Sequence, residues 1–230
     1  MTEYIKGKHW IIGAIIGVAV FIGWYFGLYR TPVDANQGPV YRILYLHVPS
    51  AFTAFFTSAI LFVTSIWGLK SKSETPMQWS KATAEVGLIF TVLCLATGSI
   101  WGRPTWGTWW TWDARLTSTL LLGLLYSGFL LLFAAMSPGP SRKKACAVLG
   151  ILICANVPII YKSVTWWRTL HQGTDIVDNR GANMDSTMFT VLMFNMALML
   201  LWSIWLIYIR SKLLKEQDEL EAYSLNQAVR

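Results

Sequence analysis

Apolar residues along this chain neither alternate nor keep to one helical stripe. They run almost unbroken for about twenty positions at a time. Six stretches do so: Trp10–Tyr29, Val48–Leu69, Ala82–Ile100, Leu116–Met136, Ala145–Tyr161 and Met188–Ile209, together just over half of the 230 residues. A hydrocarbon core of about 30 Å takes roughly 20 such residues as a helix, and a helix apolar on all sides suits lipid rather than a water-facing surface. The pattern predicts an all-α, polytopic membrane protein of six transmembrane helices, a single membrane domain over residues 1–209. Residues 210–230 form a polar tail, and its Leu213–Tyr223 stretch reads as a short charged helix extending the last span. A docking site for a partner is the other reading of that tail.

Composition agrees. Hydrophobic residues make up 54% of the chain and charged ones only 13%, against about 25% charged in soluble domains. A soluble enzyme, a disordered chain, collagen and a disulfide scaffold are all excluded. Segments 1–9, 70–81, 137–144 and 210–230 lie on one side of the expected spans and carry twelve of the 19 basic residues. The positive-inside rule then places both termini in the cytoplasm. The net charge of +7 follows from cytoplasmic anchoring beside anionic lipid, so no nucleic-acid partner is called for. The first apolar stretch lacks a small-residue cleavage site and is expected to stay as a helix.

Polar residues are unevenly shared between the two sides. The inner connectors Lys70–Pro76 and Ser137–Lys144 hold little besides charge and turn residues. The outer segments 30–47, 101–115 and 162–187 are longer and hold most of the Trp, His, Asp and Gly outside the bilayer. Binding is therefore expected on the outer face.

Chemistry narrows the choice further. Cys94, Cys146 and Cys154 all fall in apolar stretches with no C-x-x-C, so they read as small buried hydrophobes. Covalent haem attachment, a zinc site and a redox pair are disfavoured. Walker A, G-x-S-x-G and H-E-x-x-H patterns are missing, so any ATPase is another chain.

Five of the 13 tryptophans, Trp101, Trp106, Trp109, Trp110 and Trp112, fall within twelve residues, mixed with Gly102, Arg103, Pro104, Gly107, Asp113 and Arg115. An interfacial aromatic belt needs only one or two per helix end. The density describes an ordered Trp-rich loop over 101–118, a platform of flat indoles beside charged groups. Such a platform suits a large planar ligand with anionic edges, held by stacking and by arginine. Haem has that shape.

Of three histidines, His9 sits at the inner boundary of the first span. His47, in Tyr45-Leu-His-Val-Pro-Ser50, and His171, in Trp166-Trp-Arg-Thr-Leu-His171, both lie on the outer side. Two outer histidines flanking a tryptophan platform match what bis-imidazole ligation of a haem iron requires. Arg103 and Arg115 are candidate propionate partners by charge and position, with Arg42, Arg168 and Arg180 as competitors.

Glu85 is the one acid well inside an apolar stretch and either reaches the interface or pairs with Lys81. Asn156 and Pro158 suggest a kink satisfied by neighbouring helices. Met184, Met188, Met193, Met196 and Met199 read as helix packing. A solute permease conducting through the bundle and a b-type cytochrome subunit remain alternatives, although a conducting path should show more polar residues or broken helices at mid-depth.

The runs WGTWWTWDARLTS (Trp106–Ser118), YLHVPSAF (Tyr45–Phe52) and VPIIYKSVTWWRTLHQG (Val157–Gly173) resemble the WWD signature and the histidine-bearing motifs of the CcmC family, haem-handling membrane proteins of c-type cytochrome maturation. The resemblance implies non-covalent haem b, with His47 and His171 as axial ligands and metal ligands, over a platform of Trp106, Trp109, Trp110, Trp112 and Asp113. It implies a multi-pass protein of the bacterial cell inner membrane whose haem site faces the periplasm. It further implies presentation of haem to the chaperone CcmE, within a complex with CcmA, CcmB and CcmD. In that family ATP hydrolysis belongs to CcmA, which agrees with the missing Walker motif.

Overall fold

The computed structural model describes residues 8–171, 177–178, 181–182 and 184–228. Six helices carry the fold: α1 (Lys8–Tyr29), α2 (Leu44–Lys70), α3 (Thr75–Trp106), α4 (Ala114–Ala135), α5 (Pro140–Trp166) and α6 (Ser186–Ala228). All six are long and apolar enough to cross a membrane, as the hydrophobic pattern predicts for a multi-pass membrane protein. Among the described residues the β structure is a pair of two-residue antiparallel strands, Val177–Asp178 with Gly181–Ala182, and an isolated bridge between Asp34 and Gly38.

The helices run past the apolar stretches at several ends. Hydropathy reports how much of a helix lies in lipid, whereas a helix ends where its backbone loses partners. Thus α3 continues through Trp101 to Trp106 and stops at Gly107, whose φ of 78° gives the left-handed cap. The expected loop over 101–118 shrinks to residues 107–113, since α4 begins at Ala114. Likewise α2 starts at Leu44 behind a 3-10 turn, Pro39–Ile43. His47 therefore sits within the first turn of a helix rather than ahead of one. The polar tail is no separate piece either: α6 spans 43 residues to Ala228, about 65 Å at 1.5 Å per residue.

Alternation of six helices puts the start of α1 and the end of α6 at one end of the bundle and the tryptophan run at the other. Helices α2, α3, α4 and α5 pack around one another, with α6 against α2 and α3, and α1 mainly against α6. In lipid the apolar effect does not drive helices together, so small residues and buried hydrogen bonds do. Asn156 donates to the Ser118 carbonyl of α4 at 2.9 Å, which satisfies the polar group that interrupts α5. Asn195 of α6 donates to the Gly23 carbonyl of α1 at 3.2 Å. Glu85 pairs not with Lys81 but with Arg210, whose Nε and Nη2 meet its two oxygens at 2.5 and 3.0 Å. The continuation of α6 brings Arg210 there. Met188 and Met199 are buried, and Met184 and Met193 pack against the Leu44–Tyr45–Leu192 cluster, so the methionines serve packing.

Mid-bundle, the fully buried Tyr126 of α4 reaches across to α2. Its hydroxyl lies 3.0 Å from Thr57 Oγ1 and donates to the Ala54 carbonyl at 3.1 Å. Gly87 of α3 makes room for the ring, since a Cβ there would stand 2.4 Å from Tyr126 Cζ. Tyr126→Phe should cost roughly 0.5–1.5 kcal/mol for the lost hydrogen bonding, read as an earlier unfolding midpoint on titrating detergent-solubilised protein with SDS.

Candidate functional site

At the tryptophan-bearing end, α2–α5 line an apolar cleft, about 790 Å³ when the open space at its mouth is counted. Ala51, Ala54 and Phe55 of α2, Leu95 of α3, Leu116 and Leu122 of α4 and Ile160 of α5 supply its walls and floor. Tyr126 lies one turn on from Leu122 along α4, fully buried and bonded to the carbonyl of Ala54, itself a lining residue.

His47 and His171 meet at this cleft although 123 residues separate them. Their ring centres are 6.2 Å apart with 33° between planes. His47 is buried, and its Nδ1 lies 3.1 Å from both the Cys94 carbonyl and Thr97 Oγ1. The Thr97 hydroxyl spends its own proton on the Leu93 carbonyl at 2.7 Å. Both groups facing Nδ1 are thus acceptors, so Nδ1 carries the proton and Nε2 the lone pair. That is the ligating form of a neutral imidazole, held by outer partners.

Cys94, Thr97, Gly98 and Trp101 follow one another at i, i+3, i+4 and i+7 along α3, so all four face His47. Gly98 allows the approach: a Cβ there would stand 2.9 Å from His47 Cε1. Trp101 meets the His47 ring edge-on at 5.7 Å, while its Nε1 donates to Gln37 Oε1 at 2.8 Å. Residues 94, 97 and 98 are missing from the sequence-based candidates; the helical spacing was their only signal, and nothing in the sequence told which face of α3 meets His47.

The tryptophans divide into two groups. Trp106 and Trp110 line the cleft, Trp106 at 6.0 Å from the His171 ring. Trp109 and Trp112 point outward, 57% and 76% exposed, as do Trp166 and Trp167 at 59% and 52%. The expected single platform is therefore a wall with a separate outer rim, joined where Trp112 meets Trp110 edge-on at 5.6 Å.

Asp113 is a joint rather than a stacking element. Its Oδ1 accepts from the Leu116 amide at 2.8 Å, the N-cap of α4. Its Oδ2 accepts from Thr169 Oγ1 at 2.7 Å.

The arginines also separate. Arg115 lines the cleft, and its Nη1 is buried without a hydrogen-bond partner, as are Trp110 Nε1 and Thr111 Oγ1. Unpaired buried donors cost about 1–3 kcal/mol each, so three of them within six residues suit a ligand that brings acceptors. Arg103 is exposed and donates to the Gly107 carbonyl, closing its own helix end. Arg42 donates to the Leu28 and Thr31 carbonyls. Arg168 is exposed, and Arg180 lies outside the described residues.

A family model described as Heme exporter protein C matches residues 3–224. The Heme exporter protein C of Escherichia coli (strain K12) is 43% identical over 162 residues, 70% of this chain and 66% of that protein. That of Haemophilus influenzae is 38% identical over 201 residues, covering 86% of this chain and 82% of its own length. A putative cytochrome c biosynthesis ccmC-like mitochondrial protein of Marchantia polymorpha is 39% identical over 155 residues, 66% of this chain and 64% of its own. The match to the Escherichia coli protein thus spans just under two thirds of that protein. With a family model matched over nearly its whole length, this chain belongs to the CcmC family.

Proposed function

We propose that this chain binds haem b at the tryptophan-bearing end and presents it to a partner, as a haem-handling subunit of c-type cytochrome maturation. The observation that carries this reading is the facing pair His47 and His171 at the mouth of an apolar cleft walled by Trp106 and Trp110. With ring centres 6.2 Å apart, the two imidazoles would be close enough to hold one iron between them. The protein's residues fit the group on three counts: donor type, donor spacing, and unpaired hydrogen-bond donors for carboxylates.

When bound, haem would supply an iron centre and a broad apolar ring. His47 and His171 would hold the iron, His47 through Nε2 because its Nδ1–H is tied to α3. Trp106 and Trp110 would cover the ring and exclude water. Arg115 and the Trp110 indole N–H, unpaired in the cleft, would receive a propionate. Arg103 donates to its own helix end at Gly107, which favours Arg115 over it for that contact. Without a C-x-x-C-H pattern the attachment is non-covalent. The protein orients the cofactor, whose chemistry remains its own.

The outer rim of Trp109, Trp112, Trp166 and Trp167 suits a partner that must reach the haem edge. In the family setting that partner is the chaperone CcmE, with CcmA, CcmB and CcmD as membrane and cytoplasmic companions. The basic segments favour cytoplasmic termini, which supports a site that faces the periplasm from the bacterial inner membrane. A permease reading needs a path along the bundle, which would have to displace the buried Tyr126 and its contact with Thr57.

Absorption spectra of the purified chain loaded with haem, oxidised and reduced, test the reading. A low-spin bis-histidine spectrum is expected. A folded protein that stays colourless with haem in excess returns the permease.

A further inference from the structure

We infer that Thr169 is a positioning residue for His171, tying it through Asp113 to the start of α4. This rests on the haem-binding reading above, and it gives the Asp of the WWD run a task other than touching the ligand.

Three hydrogen bonds form one chain. The Leu116 amide donates to Asp113 Oδ1 at 2.8 Å, Thr169 Oγ1 donates to Asp113 Oδ2 at 2.7 Å, and the His171 amide donates to Thr169 Oγ1 at 3.1 Å. The hydroxyl has a single proton and gives it to the carboxylate, the stronger acceptor, which leaves its lone pairs to accept from His171. Every donor and acceptor role is therefore fixed in one direction.

The arrangement matters because of where His171 lies. His47 stands on a helix, buried and bonded to α3, and needs no further support. His171 follows the end of α5 at Trp166 by five residues, with no regular backbone to hold it. Its amide bond to Thr169 is a two-residue turn of the kind serine and threonine make. Alone, such a turn shapes the chain locally but does not place it against the cleft. The Asp113 link does so, because the same carboxylate caps the helix that carries Arg115. One side chain thereby sets His171 relative to both the arginine of the cleft and the tryptophan wall. Support of a ligating imidazole by its outer partners commonly alters metal affinity by 10–100-fold.

The test is Thr169→Val, which keeps the shape and removes only Oγ1, leaving the Asp113 cap on α4 in place. Thr169→Ser restores the hydroxyl, and His171→Ala removes the ligand itself. Hydrogen–deuterium exchange of residues 167–171 in the haem-free protein reports the link without any cofactor. Faster exchange is expected in Thr169→Val and wild-type exchange in Thr169→Ser. Haem titration should give about tenfold weaker binding and a partly high-spin spectrum for Thr169→Val, again restored by serine. Wild-type exchange, affinity and spectrum in Thr169→Val, alongside haem loss in His171→Ala, would overturn the positioning role and leave the ligand reading standing. If His171→Ala itself keeps the wild-type spectrum, the ligand reading fails first.

Discussion

His47→Ala is expected to abolish the low-spin spectrum and to lower haem occupancy of the purified protein by more than tenfold, a larger loss than displacing an outer partner of a ligand produces. The direction follows from its setting. His47 is 9% exposed, and removing its ring deletes one of the two proposed ligands while leaving the Cys94 carbonyl with a hydrogen bond unmade. His171→Ala should give the same spectral loss with a smaller effect on the unfolding midpoint, because His171 is only half-buried and lies outside the helices. Added imidazole, which can enter the space left by the ring, should restore a six-coordinate spectrum in both variants. Retention of wild-type haem content and Soret position by either variant would show that its histidine is not a ligand.

Gly98→Val should match His47→Ala in haem loss without touching a ligand. Even a bare Cβ at this position stands 2.9 Å from His47 Cε1. The ring cannot yield cheaply, since Cys94, Thr97 and Trp101 hold it on neighbouring sides. The branched side chain forces the imidazole off its hydrogen bonds and away from the cleft, with an overpacking cost of about 1–3 kcal/mol. Gly98→Ala should fall between wild type and Gly98→Val. Haem titration with the unfolding midpoint beside it separates the two effects: a modestly shifted midpoint with haem binding lost is expected. Full haem binding in Gly98→Val would mean that His47 is not held where haem requires it.

Much of this was legible in the sequence because lipid imposes a simple code. Every span is helical and apolar, so the six helices and their alternation follow from hydropathy alone. The tryptophan density at 101–112 and the outer placement of His47 and His171 marked the right end of the bundle. Their facing each other was another matter, since no local rule brings position 47 to position 171; that expectation rested on their shared outer placement beside the tryptophans and on the family's motifs.

The same code is silent on contacts between helices. Arg103 and Arg115 look alike in the sequence, yet the first closes a helix end and the second turns into the cleft, because α3 runs six residues beyond its apolar stretch. Asp113 stands beside the tryptophans and was read with them, while its two oxygens serve an N-cap and a threonine 56 positions on. Glu85 had Lys81 as its nearest candidate in sequence, and the partner turned out to be Arg210, on a helix that hydropathy ends at Ile209.

The position of Tyr126 has a kinetic consequence. Buried one turn from Leu122 and bonded to the Ala54 carbonyl of α2, its ring would have to be displaced by any solute passing along the bundle at that level. For a protein that holds haem and hands it on, as proposed, release should therefore rise with the concentration of the acceptor that reaches the rim.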